Sequence, residues 1–198
     1  MRVLPMLFNT EMVKAILDGR KTCTRRVLKH PFEVHPNGFI TKPHGNDRLC
    51  PYTPPYQPGD ILYVRETWSE IRNADGSHKK YVYKASDQYP FGESGYIIKF
   101  KWKPSIHMPK EAARIWLKVT DVRVERLQDI TEVGAINEGC IDDIEFAKGK
   151  SARNHFAALW NTTIKKPDID IYGWSANPWV WVIEFERCEK PGKENIND

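Results

Sequence analysis

Residues 179–185, WVWVIEF, constrain this chain more than any other stretch. They are apolar on both parities. A half-buried strand alternates apolar and polar residues, so a run apolar on both sides predicts a strand with both faces covered. A chain that must cover both faces of one strand needs layers on either side of a sheet. The clearest second strand is RIWLKVTDVRVERL at 114–127. Ile115, Leu117 and Val119 alternate on one parity, and Val122 and Val124 continue on the other. That phase change predicts a bulge or bend near Thr120-Asp121.

Shorter elements surround these two. VLPMLF at 3–8 reads as a strand whose Pro5 belongs at an edge or a bulge. Asn9 or Thr10 caps a helix with Met12, Val13, Ile16 and Leu17 on one face and Gly19 as its stop. TRRVL at 24–28 reads as a strand, and Lys21 to Thr24 as the connection into it. Residues 31–60 are rich in Pro, Gly, His and Asn and read as a long ordered loop ending in Pro58-Gly59-Asp60. ILYVRETW at 61–68, YVYKA and YIIKFKW read as further strands. Helices are expected at 131–138, capped by Thr131 and stopped by Gly139, and at 152–161, with Phe156, Leu159 and Trp160 inward. Trp179 and Trp181 read as core and wall. The pattern is α+β, a small mixed β-barrel with a few short helices. No linker divides it, so one domain is expected over 1–188, with a polar tail at 189–198.

The chain has 198 residues, net charge +4 and 12% aromatics. This describes a folded chain, mildly basic, able to take an anionic partner without requiring one. No apolar run approaches the ~20 residues of a membrane span. No signal peptide is read at the N-terminus, and a cytoplasmic location is expected. Cys23, Cys50, Cys140 and Cys188 form no CxxC pair and read as reduced thiols. His30, His35, His44 and Cys50 match no common zinc spacing, so no metal site is expected.

Residues 19–26, GRKTCTRR, set four strong cations around two threonines and a thiol. They fit a solvated basic turn, a phosphate-binding patch, or a lysine beside a hydroxyl. A threonine becomes a nucleophile only when a base takes its proton. A lysine serves as that base when burial or neighbouring cations lower its pKa. Lys21 has Arg20, Arg25 and Arg26 nearby in sequence. If the turn brings Lys21 and Thr24 together, their tips meet within about 3 Å or through one water.

At Gly19, Lys21, Thr24 and Arg26 the chain resembles the ASCH domain family, whose signature is Gly-x-Lys-x-x-(Glu or Thr)-x-Arg and whose fold is PUA-like. The likeness extends over PGDILYVRETW at 58–68, residues 114–139 and NPWVWVIEFER at 177–187. With WKPSIHMP at 102–109, the chain looks like the larger ASCH proteins of phages and prophages. One branch of the family is the N4-acetylcytidine amidohydrolases. The resemblance implies a catalytic trio of Lys21, Thr24 and Glu138, with Thr24 as nucleophile, Lys21 as its base and Glu138 as acid or orienting group. It implies hydrolysis of N4-acylated cytosine nucleosides, without a cofactor. The insertions at 29–57 and 69–101 depart from that branch and bear on substrate identity.

Arg26, Arg65, Glu66 and Trp68 are candidate substrate contacts. Arg65 is suited to a pyrimidine carbonyl and Trp68 to stacking on the ring. The same residues also fit an Arg65–Glu66 pair beside a core tryptophan. His107 fits either a pocket edge or a plain loop. The rival functions are a PUA-like RNA-binding module, served by the cations at 20–29, and a ribonuclease.

Overall fold

The computed structural model describes residues 1–29, 31–35, 40–44, 48–72, 79–86, 101–141 and 148–192. The fold is α+β, as the sequence implies, and it divides into two compact units. One comprises Met1–Lys21, Gly59–Lys118 and Glu186–Asp198; the other comprises Thr22–Pro58 and Val119–Phe185.

In the first unit, β1 (Val3–Leu7) runs parallel to β6 (Ile61–Arg65), with Pro5 opposite Tyr63. β1 lies at the edge of its sheet, where a residue without an N–H is tolerated. β6 pairs antiparallel with the opening residues of β9 (Trp116–Arg126). α1 (Thr10–Leu17) is capped by Asn9, whose side chain accepts the Met12 N–H at 2.8 Å. Its buried face is Val13, Ala15 and Ile16. Gly19, at φ +77°, ends it, and the backbone N–H groups of Arg20 and Lys21 both donate to the Ala15 carbonyl. β7 (Trp68–Arg72) and β8 (Lys79–Tyr83) form a hairpin with Trp68 opposite Tyr83. Ile61, Trp68, Met108, Ala112, Ala113 and Trp116 make the apolar cluster here.

In the second unit, β2 (Cys23–Val27) pairs antiparallel with β10 (Trp179–Cys188), Thr24 opposite Ile183. β10 lies between β9 and β2. Val180 and Val182 face a cluster with Leu127, Ile130, Ala135, Phe156 and Trp160. On the opposite parity, Trp181 lies against Tyr52, ring centroids 6.2 Å apart. Both faces of WVWVIEF are therefore covered. The inner helices are α2 (Glu132–Asn137), capped by Thr131, and α3 (Ala152–Thr163), capped by Ser151. Glu132 ties them together, accepting from Ser151 Oγ at 2.6 Å and from the Ala152 N–H at 2.7 Å. These bonds satisfy donors at the start of α3 and hold the Glu132 carboxyl below the usual carboxylate range, the Ser151 bond most of all.

Three local readings change. Residues 31–60 are not one loop. They carry β3 (Glu33–Val34), β4 (Ile40–His44) and β5 (Arg48–Pro51) as a three-stranded sheet. Pro43 and Pro51 hid these strands, because proline normally argues against a ladder. The expected strand 61–68 breaks after Arg65, and Trp68 begins β7. β9 runs as one strand through Thr120-Asp121, and its sharp burial alternation ends there, where the sequence predicts the bulge or bend. A helical turn, α4 (Ile169–Tyr172), lies in a stretch the sequence left unassigned. The expected strand YIIKFKW falls largely outside the described residues, as does the end of the polar tail.

Candidate functional site

In the second unit, the start of β2 meets the end of α2. The Thr22 N–H donates to the Asn137 carbonyl at 2.8 Å, and the Phe185 N–H donates to the Thr22 carbonyl at 2.9 Å. Glu138 caps α2 at its C-terminus, just before Gly139 at φ +76°. Thr24 is the second residue of β2, rather than lying in the connection before it. It is 2% exposed and Glu138 5%.

Arg25 links the pieces. Its Nη1 donates to Glu138 Oε1 at 3.2 Å, and its Nε and Nη2 donate to Glu125 Oε1 at 2.9 and 2.6 Å. Its side chain is 3% exposed and that of Glu138 4%. A buried ion pair persists when its remaining donors and acceptors are also satisfied. Arg25 meets that condition with two carboxylates, the Cys23 Sγ at 3.8 Å and the Phe156 ring 5.8 Å away. Burial opposes its charge, yet Glu138, the Cys23 thiol and Glu125 together hold its pKa above the ordinary arginine value.

Strand alternation places Cys23 and Arg25 on one face of β2 and Thr24 and Arg26 on the other. Arg26 is half-buried. Burial pulls its pKa down, against the opposing charge of Glu138. Glu138 is thus within electrostatic reach of the arginines on both faces. Tyr56 lies near Arg26, its phenol pushed up by burial and pulled back by the guanidinium.

Lys21 belongs to the first unit. It is 2% exposed, with Nζ 5.6 Å from the Phe8 ring centroid. In the sequence Arg20, Arg25 and Arg26 are cations that would act on it if they converged in space. Instead Arg20 pairs with Asp18 at 2.9 Å, and Arg25 with two carboxylates.

The remaining candidates also lie in the first unit. Glu66 is 1% exposed, and both of its oxygens are taken by Arg114, at 2.9 and 3.0 Å. The alternative Arg65–Glu66 pair is therefore not formed. A neighbour in sequence at a strand end diverges from the position that Arg114 reaches from the residues just before β9. Arg65 donates to the Ile106 carbonyl. Trp68 is 4% exposed, edge-on to Tyr81, with Lys103 Nζ 4.7 Å from its ring. His107 is exposed in a short 3₁₀ turn.

Glu125, Tyr56 and Arg114 were not singled out from the sequence, and Arg25 was read only as a cation near Lys21. The Arg-Arg pair beside Thr24 was the available signal for Arg25. Nothing in the linear order ties Arg114 to Glu66.

Tyr83 gives this cluster a pH dependence. Burial pushes its phenol up to about 12, and Arg114, 4.2 Å from the ring, only partly offsets this. The unfolded chain releases the same proton near pH ~10. Below that value both states are protonated and the contribution is intact. It is lost as pH rises from about 10 to about 12. Stability measured by urea denaturation should therefore fall more steeply across this range in the wild type than in Tyr83→Phe. Parallel curves for the two proteins would refute the assignment.

Among the described residues, no group of three or more His, Cys, Asp or Glu is placed to hold a metal. The segment from His30 to Cys50 lies partly outside them, and His35 Nε2 is 3.0 Å from Thr41 Oγ1. Cys23, Cys140 and Cys188 are free thiols. No described helix is long and apolar enough to cross a membrane.

No family model matches this chain, and no curated protein is similar to it. Among solved structures it is similar to the crystal structure of an ASCH domain from Lactobacillus crispatus JV V101. The identity is 12% and the TM-score 0.39, over 94% of this chain and 79% of that one.

Proposed function

We propose that the chain is an amidohydrolase acting on N4-acylated cytosine nucleosides, with Thr24 as nucleophile, Lys21 as base and Glu138 as the group that orients and relays the proton. One observation carries this reading. Lys21, Thr24 and Glu138, matched to the ASCH trio by order in the sequence, are 2%, 2% and 5% exposed. Burying an ammonium, a hydroxyl and a carboxylate is costly, and proteins accept that cost mainly where the groups are used. A solvated basic turn would leave Lys21 and Thr24 in water.

Thr24 Oγ attacks the acyl carbon as its proton passes to Lys21. The tetrahedral intermediate collapses, the C–N bond breaks, and the N4 amine leaves with that proton, relayed through Glu138. Water then cleaves the acyl-threonine ester and releases the carboxylate. Every bond and proton is accounted for without a cofactor. Arg26, beside Glu138 in charge, is assigned to the substrate side of β2. The RNA-binding alternative is weakened because two of the four cations of GRKTCTRR, Arg20 and Arg25, are already paired with carboxylates.

The test is incubation with N4-acetylcytidine, followed by the absorbance change on conversion to cytidine. Glu138→Gln should retain the fold and lower turnover by on the order of 10²-fold, the usual scale of a lost proton-transfer group. Unchanged turnover in that variant would remove Glu138 from the mechanism. Absence of turnover by the wild type would remove the reading.

A further inference from the structure

The junction between β6 and β7 holds two buried side-chain N–H groups. Trp68 Nε1 and Arg65 Nε are both shielded from solvent and have no hydrogen-bond partner among the described residues. Proteins rarely leave such donors empty, because the lost bond to water is not replaced. We propose that this junction is a binding site for a small oxoanion, a phosphate or a carboxylate group, held by Trp68 Nε1 and the guanidinium of Arg65.

Three observations support an anion rather than a neutral ligand. First, the carboxylates nearby are engaged elsewhere: Glu66 by both arms of Arg114, Glu70 by Lys103 at 3.0 Å, and Glu111 by the Tyr81 hydroxyl. Second, Arg65 makes no ion pair among the described residues. Its terminal Nη2 donates to the neutral Ile106 carbonyl, so no carboxylate among the described residues balances its charge. Third, Lys103 Nζ, although paired with Glu70, stands 4.7 Å from the Trp68 ring, so an ammonium rather than a carboxylate lies over the indole. The junction is also donor-rich: the Glu66 N–H donates to the Met108 thioether at 3.2 Å, a weak acceptor.

A break in the chain removes the bar that strand alternation would set against the two side chains sharing a face. Residues three apart in a continuous strand point to opposite faces. Here β6 ends at Arg65 and β7 begins at Trp68, so that rule does not apply. Both residues lie along one short segment, 103–108. Trp68 exchanges backbone hydrogen bonds with Lys103 at 3.2 and 2.7 Å, Met108 shares its apolar cluster, and Arg65 reaches Ile106. An oxoanion supplies two acceptor oxygens for these two donors in charge-assisted bonds.

The experiment uses the full chain labelled with 15N and follows the indole N–H signals of its seven tryptophans. Trp68→Phe identifies the Trp68 signal by its disappearance. Inorganic phosphate, acetate and cytidine 5′-monophosphate are titrated separately at constant ionic strength. The Trp68 signal should move and saturate with at least one of them. Arg65→Gln should weaken that binding by on the order of tenfold, and Trp68→Phe should weaken it measurably by calorimetry. Arg65→Lys, which keeps the charge but loses Nε, serves if Arg65→Gln does not fold. A response to phosphate alone identifies a phosphate site, and a response to acetate alone a carboxylate site. Tighter binding of the monophosphate than of phosphate identifies a nucleotide. A Trp68 signal that none of the three moves would overturn the proposal, as would a shift unchanged in the Arg65 variants. No turnover is measured, so the outcome is independent of the hydrolase reading.

Discussion

Replacing Arg25 by alanine is expected to destabilise the protein by about 3–5 kcal/mol, the scale of breaking a buried ion pair on one side. Arg25 lies between Glu138 and Glu125, and its side chain is 3% exposed. Truncation leaves the Glu138 carboxylate, itself 4% exposed, without the guanidinium that bonds it. It also opens a space beside Phe156, whose ring lies 5.8 Å from the guanidinium. Urea denaturation at neutral pH measures the loss. Adding Glu138→Gln should return part of it, because the double variant no longer buries a carboxylate that has lost its guanidinium. A loss below about 1 kcal/mol would mean that the pair behaves like an exposed one, whatever its burial. Gly134 sets a related limit. A Cβ there would stand 3.3 Å from Arg25 Nη2, so the bare backbone of α2 makes room for the guanidinium.

The second large effect concerns catalysis. Thr24→Ala should lower N4-acetylcytidine turnover by on the order of 10³-fold or more, the scale of deleting a covalent nucleophile. Thr24→Ser keeps an attacking oxygen and should keep measurable turnover. Substrate binding should change little in Thr24→Ala, so the loss should fall on kcat rather than KM. The substitution removes only a hydroxyl and a methyl from a strand residue paired with Ile183, so the fold should survive. Comparable turnover in Thr24→Ala and wild type would show that water attacks directly. Thr24 would then be a buried strand residue, and Lys21 and Glu138 would need another account.

Much of the fold could be read from residue pattern because each element carried its own signal. Asn9 and Gly19 bracket α1, Thr131 and Gly139 bracket α2, and the two-sided apolarity of WVWVIEF matches β10, covered on both faces. Those signals are local, arising from backbone preference and side-chain period, and they do not need the rest of the chain. The strands at 33–51 were missed for the opposite reason. Their prolines lower intrinsic strand preference, and only pairing between β3, β4 and β5 overrides it.

The candidate trio came from the resemblance to the ASCH signature at Gly19, Lys21, Thr24 and Arg26, with Glu138 carried over from the same likeness, and not from spacing alone. Which groups are buried, and which charges meet, depended on the folded chain. Arg25 meets Glu138 across 113 positions and Glu125 across 100. Glu66 meets Arg114 across 48 positions rather than its neighbour Arg65. Charges that look free in the sequence become paired when chain topology brings a distant carboxylate within hydrogen-bond range. Linear spacing carries no information about that approach, which depends on strand pairing and on the angle at which each helix ends.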